Sequence, residues 1–390
     1  LYVVVFWCAD KPKLGTLPPE WLIFDSSVVT WIVFLMVYAF IAAVLPVRVL
    51  LQPRDYINSH QLFLGLGALL LGILIVRPEV VAPAINTNVH ESVPPLIPLL
   101  FITIACGAIS GFHGLVSSGT TSKQLDCMRD ARTVGYGGML GEGVLAMVSV
   151  MAVSAGFATR GAWDARYTAR EVTAADGTVT TEPVVWSDLA GGALKNFVDG
   201  AASFLEPLLS PFMSNAFGVG QTVVAFIVIS FAATTLDTAA RIQRFCLAEL
   251  GQSFGITVLK NRFVATAVAV IPAALLAIFT ETPGKGPGSG GMILWPVFGT
   301  TNQLIGAITL LILFMYLRMK KRPTLPVLIP LVFLVIMTTV AGVMGLRAQI
   351  SAGNWIVVTF GTLFLGLQVL VFFEAWKRWR AGRGEASEAA

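Results

Sequence analysis

Histidine and cysteine are scarce, three and four among 390 residues, and only 12% of residues are charged. The cysteines, Cys8, Cys106, Cys127 and Cys246, form no close C-x-x-C pair, which argues against a disulfide framework or a zinc site. There is no Walker loop, dinucleotide fingerprint or nucleic-acid module, so neither a cofactor nor a nucleic-acid partner is expected. A charged n-region with a small-residue cleavage site is also missing, so the start does not read as a signal peptide. It does not begin with methionine either. Leu1 to Trp7 is an apolar run too short to span a bilayer, and the chain is read as truncated at its N-terminus.

What is present is hydrophobic: 56% of the residues, against so little charge, describe a polytopic membrane protein with lipid as its solvent. Nine apolar spans are predicted, at about Val28–Pro46, Leu62–Val76, Pro94–Phe112, Val134–Gly156, Val219–Leu236, Phe263–Phe279, Met292–Tyr316, Leu325–Gly345 and Trp355–Trp376. If each crosses once, the basic loops around Arg48 and Arg54, Lys123 to Arg132, Arg241 to Arg262 and Arg318 to Arg322, and the tail from Lys377, share one side. They hold most of the 26 Lys and Arg, which makes that side cytoplasmic. The expected organisation is a span remnant and outer loop over 1–27, membrane spans over 28–156, an external loop and amphipathic cap over 157–218, spans over 219–376, and a cytoplasmic tail over 377–390 that reads as solvated and unstructured after Gly382. Within 157–218 a turn is expected at Asp176-Gly177, and Pro207 and Pro211 are expected to break any long helix. Past Leu236, the run Asp237 to Glu249 is expected to carry the membrane helix into the cytoplasm.

One stretch stands apart. Cys106 to Thr121 continues the apolar run Leu96 to Ala105 with Gly107, Gly111, Gly114 and Gly119 interleaved with hydroxyls and His113. Each glycine costs a helix roughly 0.8–1 kcal/mol relative to alanine, so the backbone is expected to open near 107–121. Open backbone at membrane depth is tolerated only where it is buried in protein or lines a wet cavity, as at transporter binding sites. Ser110, Gly111, Ser117, Ser118, Thr120 and Thr121 are therefore candidate contacts for a substrate or ion; equally, the hydroxyls can cap freed backbone groups. His113 either titrates near neutral pH or, as a neutral imidazole, fixes the break.

Glu142 is the sole acid in its span and reads either as an ion-coupling carboxylate or as a protonated, hydrogen-bonded one. The glycines around it, Gly137, Gly138, Gly141 and Gly143, suit close helix packing. Thr234, Thr235 and Thr238, with Asp237, are oxygen-rich enough to hold sodium, although Asp237 can instead pair with Arg241 four residues on. Asn302 and Gln303 either line a pathway or bridge helices.

The segments FITIACGAISGFHGLVSSGTTSKQ, TVGYGGMLGE, FAATTLDTAARIQRF and LWPVFGTTNQLIGAITL, in this order and spacing, resemble the carbon starvation protein A family over about Leu45 to Leu311. The resemblance implies a secondary transporter of peptides or pyruvate in the inner, cytoplasmic membrane, coupled to protons or sodium and acting in the carbon starvation response. It also implies an all-α, leucine-transporter-like fold of two inverted repeats. On that mapping Pro94–Phe112 is the broken first helix of the second repeat, Leu189–Phe217 is the external cap, and the first repeat's broken helix is missing. The rival readings are a membrane-embedded enzyme, for which no nucleophile elbow or zinc motif is present, and a starvation sensor that does not transport.

Overall fold

The computed structural model describes residues 22–23, 26–104, 107–173, 179–281 and 286–388. Helix α1 spans Ser27–Val44, with the Ser26 hydroxyl accepting from the Val29 amide as its N-cap. Helix α2 spans Leu51–Val76. A wide turn at Leu96–Leu100 leads into the short α3, Phe101–Ile104, and after a break α4 spans Gly111–Gly119. Helix α5 spans Met128–Ala155 and α6 spans Arg160–Tyr167. A two-stranded antiparallel hairpin follows, β1 (Ala169–Thr173) with β2 (Val179–Pro183), in the register Ala169 opposite Pro183. Then come α7, Trp186–Leu209; α8, Ala216–Ser253; α9, Arg262–Phe279; α10, Trp295–Met319; α11, Leu325–Ser351; and α12, Trp355–Glu388.

Among the described residues eight helices are long and apolar enough to cross a membrane, which makes this an all-α polytopic membrane protein. The ninth predicted span, Pro94–Phe112, is interrupted: it holds α3 and ends on the first residues of α4. Several helices overrun their apolar windows: α2 starts at Leu51 rather than Leu62, and α8 continues through its charged end to Ser253. Polar residues at a helix end still satisfy the backbone, so an apolar window marks the lipid-spanning part and not the helix. The tail departs from expectation likewise. Ala- and Glu-containing, it favours helix, and α12 runs to Glu388.

The chain divides into two compact units. The first comprises Leu1–Pro94 and Asp126–Ala274, the second Pro95–Leu125 and Leu275–Ala390. In the first, the core is built by Leu69 of α2, Val148 and Ala152 of α5, Phe204 and Leu205 of α7, and Val224 of α8. Helices α5 and α7 touch backbone to backbone, since a Cβ on Gly200 would lie 2.0 Å from the Ala152 carbonyl oxygen. Helix α7 is amphipathic as expected, but it is not broken at Pro207. That residue sits inside the last turn, where one missing N–H interrupts little, and the helix ends at Leu209. The expected turn at Asp176-Gly177 lies outside the described residues. In the second unit, Ile102 of α3 packs on Met337 and Ala341, and Ala307 of α10 packs on Leu331 and Leu334.

Candidate functional site

The break falls where the glycines enter the apolar run, but it is shorter than the sequence suggests. Residues 107–110 form a turn, and Gly111 to Gly119 are helical. Ser110 stands at the N-cap of α4 in extended conformation, yet its side chain makes no cap bond. Asn302 of α10, 4% exposed, does so instead: its Oδ1 accepts from the Phe112 amide at 2.9 Å and from the Ser110 hydroxyl at 3.2 Å. A neighbouring helix thus satisfies the backbone donor freed by the break. Gly111 is required there, because a Cβ on it would lie 2.3 Å from the Asn302 carbonyl oxygen and 2.5 Å from the Gly306 nitrogen. One turn on, Gly114 rests against Thr309 of the same helix.

The remaining hydroxyls of the segment are largely engaged locally. Ser117 donates to the Gly114 carbonyl, Ser118 to that of Leu115, and the buried Thr120 to that of Val116. Thr121 opens a short turn to Lys123. His113 is exposed, its ring set edge-on to Phe112, with no hydrogen bond or ion pair among the described residues. Next to Asn302, Gln303 is fully buried, and neither of its amide atoms has a partner among the described residues.

In the first unit, Asp237 of α8 is buried and ion-paired to the Arg54 guanidinium of α2. The Tyr38 hydroxyl of α1 donates to the same carboxylate at 3.1 Å and accepts from Arg54 at 2.7 Å, while Thr238 donates to the other oxygen at 3.3 Å. The i,i+4 pair of Asp237 with Arg241 is not formed. Arg241 instead donates to the Leu45 carbonyl at 2.8 Å and to that of Ala42, at the C-terminal end of α1, where the helix dipole is negative. Thr234 and Thr235 donate to the Phe231 carbonyl. Among the described residues no group of three or more His, Cys, Asp and Glu side chains is placed to hold a metal ion.

A second buried polar contact joins α2 to α8: Ser230 donates to Asn58 at 2.8 Å and to Gln61 at 3.3 Å. On the same helix stripes lies a cavity of about 540 Å³ lined by Leu66, Phe197, Val224 and Phe231 among others. Glu142 is exposed on α5 and has no partner among the described residues. The glycines beside it pack against nothing: Gly137, Gly138, Gly141 and Gly143 have open space where a Cβ would stand, because α5 buries a different face through Val148, Ala152 and Ala155.

Residues 15–341 match the model of the family described as carbon starvation protein CstA. The chain belongs to that family. Similar proteins include the peptide transporter CstA of Escherichia coli K12, 34% identical over 86% of this chain and 51% of its own length. The pyruvate/proton symporter BtsT of the same organism is 32% identical over 82% of this chain and 51% of its own. The peptide transporter CstA of Bacillus subtilis 168 is 31% identical over 92% and 62%. This CstA-family chain therefore spans about half the length of the Escherichia coli relatives it matches. No solved structure matches it.

For a CstA-family chain whose named relatives are transporters and not enzymes, the geometry sorts the candidates. Ser110, Gly111 and Asn302 are brought together at the break. Asp237 and Thr238 belong to a charged cluster in the other unit, with Thr234 and Thr235 one turn away on α8. Tyr38, Asn58, Gln61 and Ser230 are not among the residues the sequence points to, and Arg54, which it places in a basic loop, lies in α2 and pairs with Asp237. Each is a polar residue within or beside an apolar run, and that was the signal available.

Proposed function

We propose that the chain is the membrane part of a secondary active transporter that imports peptides or a small carboxylate such as pyruvate across the cytoplasmic membrane, in the carbon starvation response. The observation that carries this reading is the membrane segment interrupted at 107–110, with its helix N-terminus held by Asn302. An opened backbone with amide donors at a helix N-terminus suits an anionic carboxylate, as broken transporter helices do. Ser110, Gly111, His113, Ser117, Ser118, Thr120, Thr121 and Asn302 are the proposed substrate side. Asp237 and Glu142 are the proposed coupling carboxylates.

The proton is the proposed coupling ion, and a relative named as a pyruvate/proton symporter supports it. Protonation of Asp237 would cancel the charge that holds Arg54 and Tyr38, which gives the ion a means to alter the packing of α1, α2 and α8. Sodium at Thr234, Thr235 and Thr238 is the alternative. The fold proposed is the inverted-repeat type, with the interrupted segment as the first helix of a repeat, α7 as an external cap, and alternating access as the mechanism. The test is uptake of labelled pyruvate and of labelled dipeptide by the whole protein in liposomes, under an imposed proton or sodium gradient. Accumulation of unchanged solute under the proton gradient supports the reading; chemical conversion of the solute, or binding without flux under either gradient, defeats it.

A further inference from the structure

The first two turns of α5 carry a feature that the transport reading does not use. Arg129, Arg132, Thr133 and Tyr136 follow one another at helical spacing on a single face and line a surface pocket of about 450 Å³. All four are exposed, and neither arginine has an ion-pair or hydrogen-bond partner among the described residues. The acid nearest in sequence, Asp130, falls about a third of a turn off that face by helical spacing. Two unpaired guanidiniums thus converge beside two hydroxyls at the end of a candidate membrane span.

The same face continues down the helix without charge. Leu140, Met147 and Val150 lie along it, each more than half exposed, with Gly143 between them. Glu142 is on another side of the helix by spacing. The face therefore has two zones in sequence: a cationic, hydrogen-bonding end about two turns long, then an exposed apolar stripe that includes Gly143. Guanidinium is the side chain best shaped to clasp a phosphate with paired N–H donors. Tyrosine favours the level of the headgroups, and the exposed apolar residues beyond it suit hydrocarbon.

We propose that this face of α5 is a binding site for one anionic phospholipid, with the phosphate between Arg129 and Arg132, the Thr133 and Tyr136 hydroxyls on its oxygens, and an acyl chain along Leu140 and Met147. Charge complementarity selects the anionic lipid over a zwitterionic one, and the apolar continuation of the face selects a lipid over a free phosphate. A basic residue near an anionic membrane surface contributes about 1 kcal/mol, so two correspond to roughly thirtyfold at low salt.

The experiment places the whole protein in nanodiscs of phosphatidylcholine doped with phosphatidylglycerol carrying a photoactivatable diazirine in its acyl chain. On the unaltered protein, cross-links are expected within residues 136–150 of α5. With spin-labelled lipids, phosphatidylglycerol should be held at least tenfold more tightly than phosphatidylcholine. Millimolar inorganic phosphate should not displace it. R129Q/R132Q should abolish the preference, and R129K/R132K should keep most of it. The proposal is overturned by cross-links confined to other helices, by equal retention of the two lipids, by an unchanged preference in R129Q/R132Q, or by displacement with inorganic phosphate, which would make this a soluble-anion site. The cross-linking arm needs no variant, so its outcome decides the matter even if the double substitution impairs folding.

Discussion

The side chain of Asn302 caps a helix far back in the chain, its Oδ1 accepting the amide of Phe112, 190 residues earlier, at 2.9 Å. The residue with the right chemistry at the local N-cap position, Ser110, gives its own proton to the same oxygen rather than accepting from the helix. The conformation of the break thus depends on a neighbouring helix, and α10 cannot shift against α4 without uncovering a backbone donor.

Asn302→Ala should destabilise the protein by about 0.5–2 kcal/mol, the usual loss for an N-cap, whereas Asn302→Asp keeps the acceptor and should cost less. Thermal denaturation in detergent measures the difference. A cysteine at Ser110 should also react faster with a soluble thiol reagent in the alanine variant. Equal stability of the two variants would show that the cap bond contributes nothing.

Breaking the Asp237–Arg54 pair should be severe. Asp237→Asn removes the buried counter-charge of Arg54 and leaves it, among the described residues, only the exposed Asp55, 3.2 Å away; about 3–5 kcal/mol is typical for breaking a buried pair. Arg54→Gln combined with Asp237→Asn removes both charges and should recover much of that loss. The double-mutant cycle in thermal stability gives the coupling directly. Additive single effects would mean that the two side chains do not act as a pair.

Helix α7 carries a pH dependence of definite sign. Burial alone raises the Asp199 carboxyl, but hydrogen bonds from Lys195 and Gln221 and the positive charges of Lys195 and Arg166 outweigh it and hold the group below its usual range. Its folded-state value is therefore lower than its unfolded one. The stabilisation is present above about pH 4, the ordinary aspartate value, and is lost as the pH falls through the folded value. Hydrogen exchange in α7 should accelerate as the pH falls below about 4, after correction for the intrinsic rate. Asp199→Asn should remove that acceleration.

Glu142→Gln should slow gradient-driven uptake at least tenfold while leaving solute exchange within about twofold, as expected if this carboxylate carries the coupling proton. Paired flux assays in liposomes distinguish the two. Equal loss of both fluxes, or of neither, removes Glu142 from coupling.

Much of this architecture was legible because lipid imposes a simple rule: a span must be apolar and internally hydrogen-bonded. The eight long helices and the interruption near Gly107 follow from that rule, as does the amphipathic α7. Tertiary partnership was not legible. Arg241 is the natural helical partner of Asp237 at i+4, yet Arg54, 183 residues away in sequence, takes that place because α2 and α8 pack together. The glycines near Glu142 look like a packing motif, yet the buried face of α5 is the one bearing Val148 and Ala152. Spacing along one helix reports which residues share a side; it does not report which side meets a neighbour.

The interleaving of the two units has a consequence for synthesis. The second unit is assembled from Pro95–Leu125 and from a segment that begins only at Leu275. At a translation rate of about 5–20 residues per second, the 190 residues between Phe112 and Asn302 take roughly 10–40 seconds to emerge. For that interval α4 is without its cap and α3 without Met337 and Ala341, while the helices of the first unit are already being made. The order of the gene thus leaves the interrupted segment waiting for its partner helices, and insertion factors that shield polar backbone in the bilayer have their clearest task at residues 107–112.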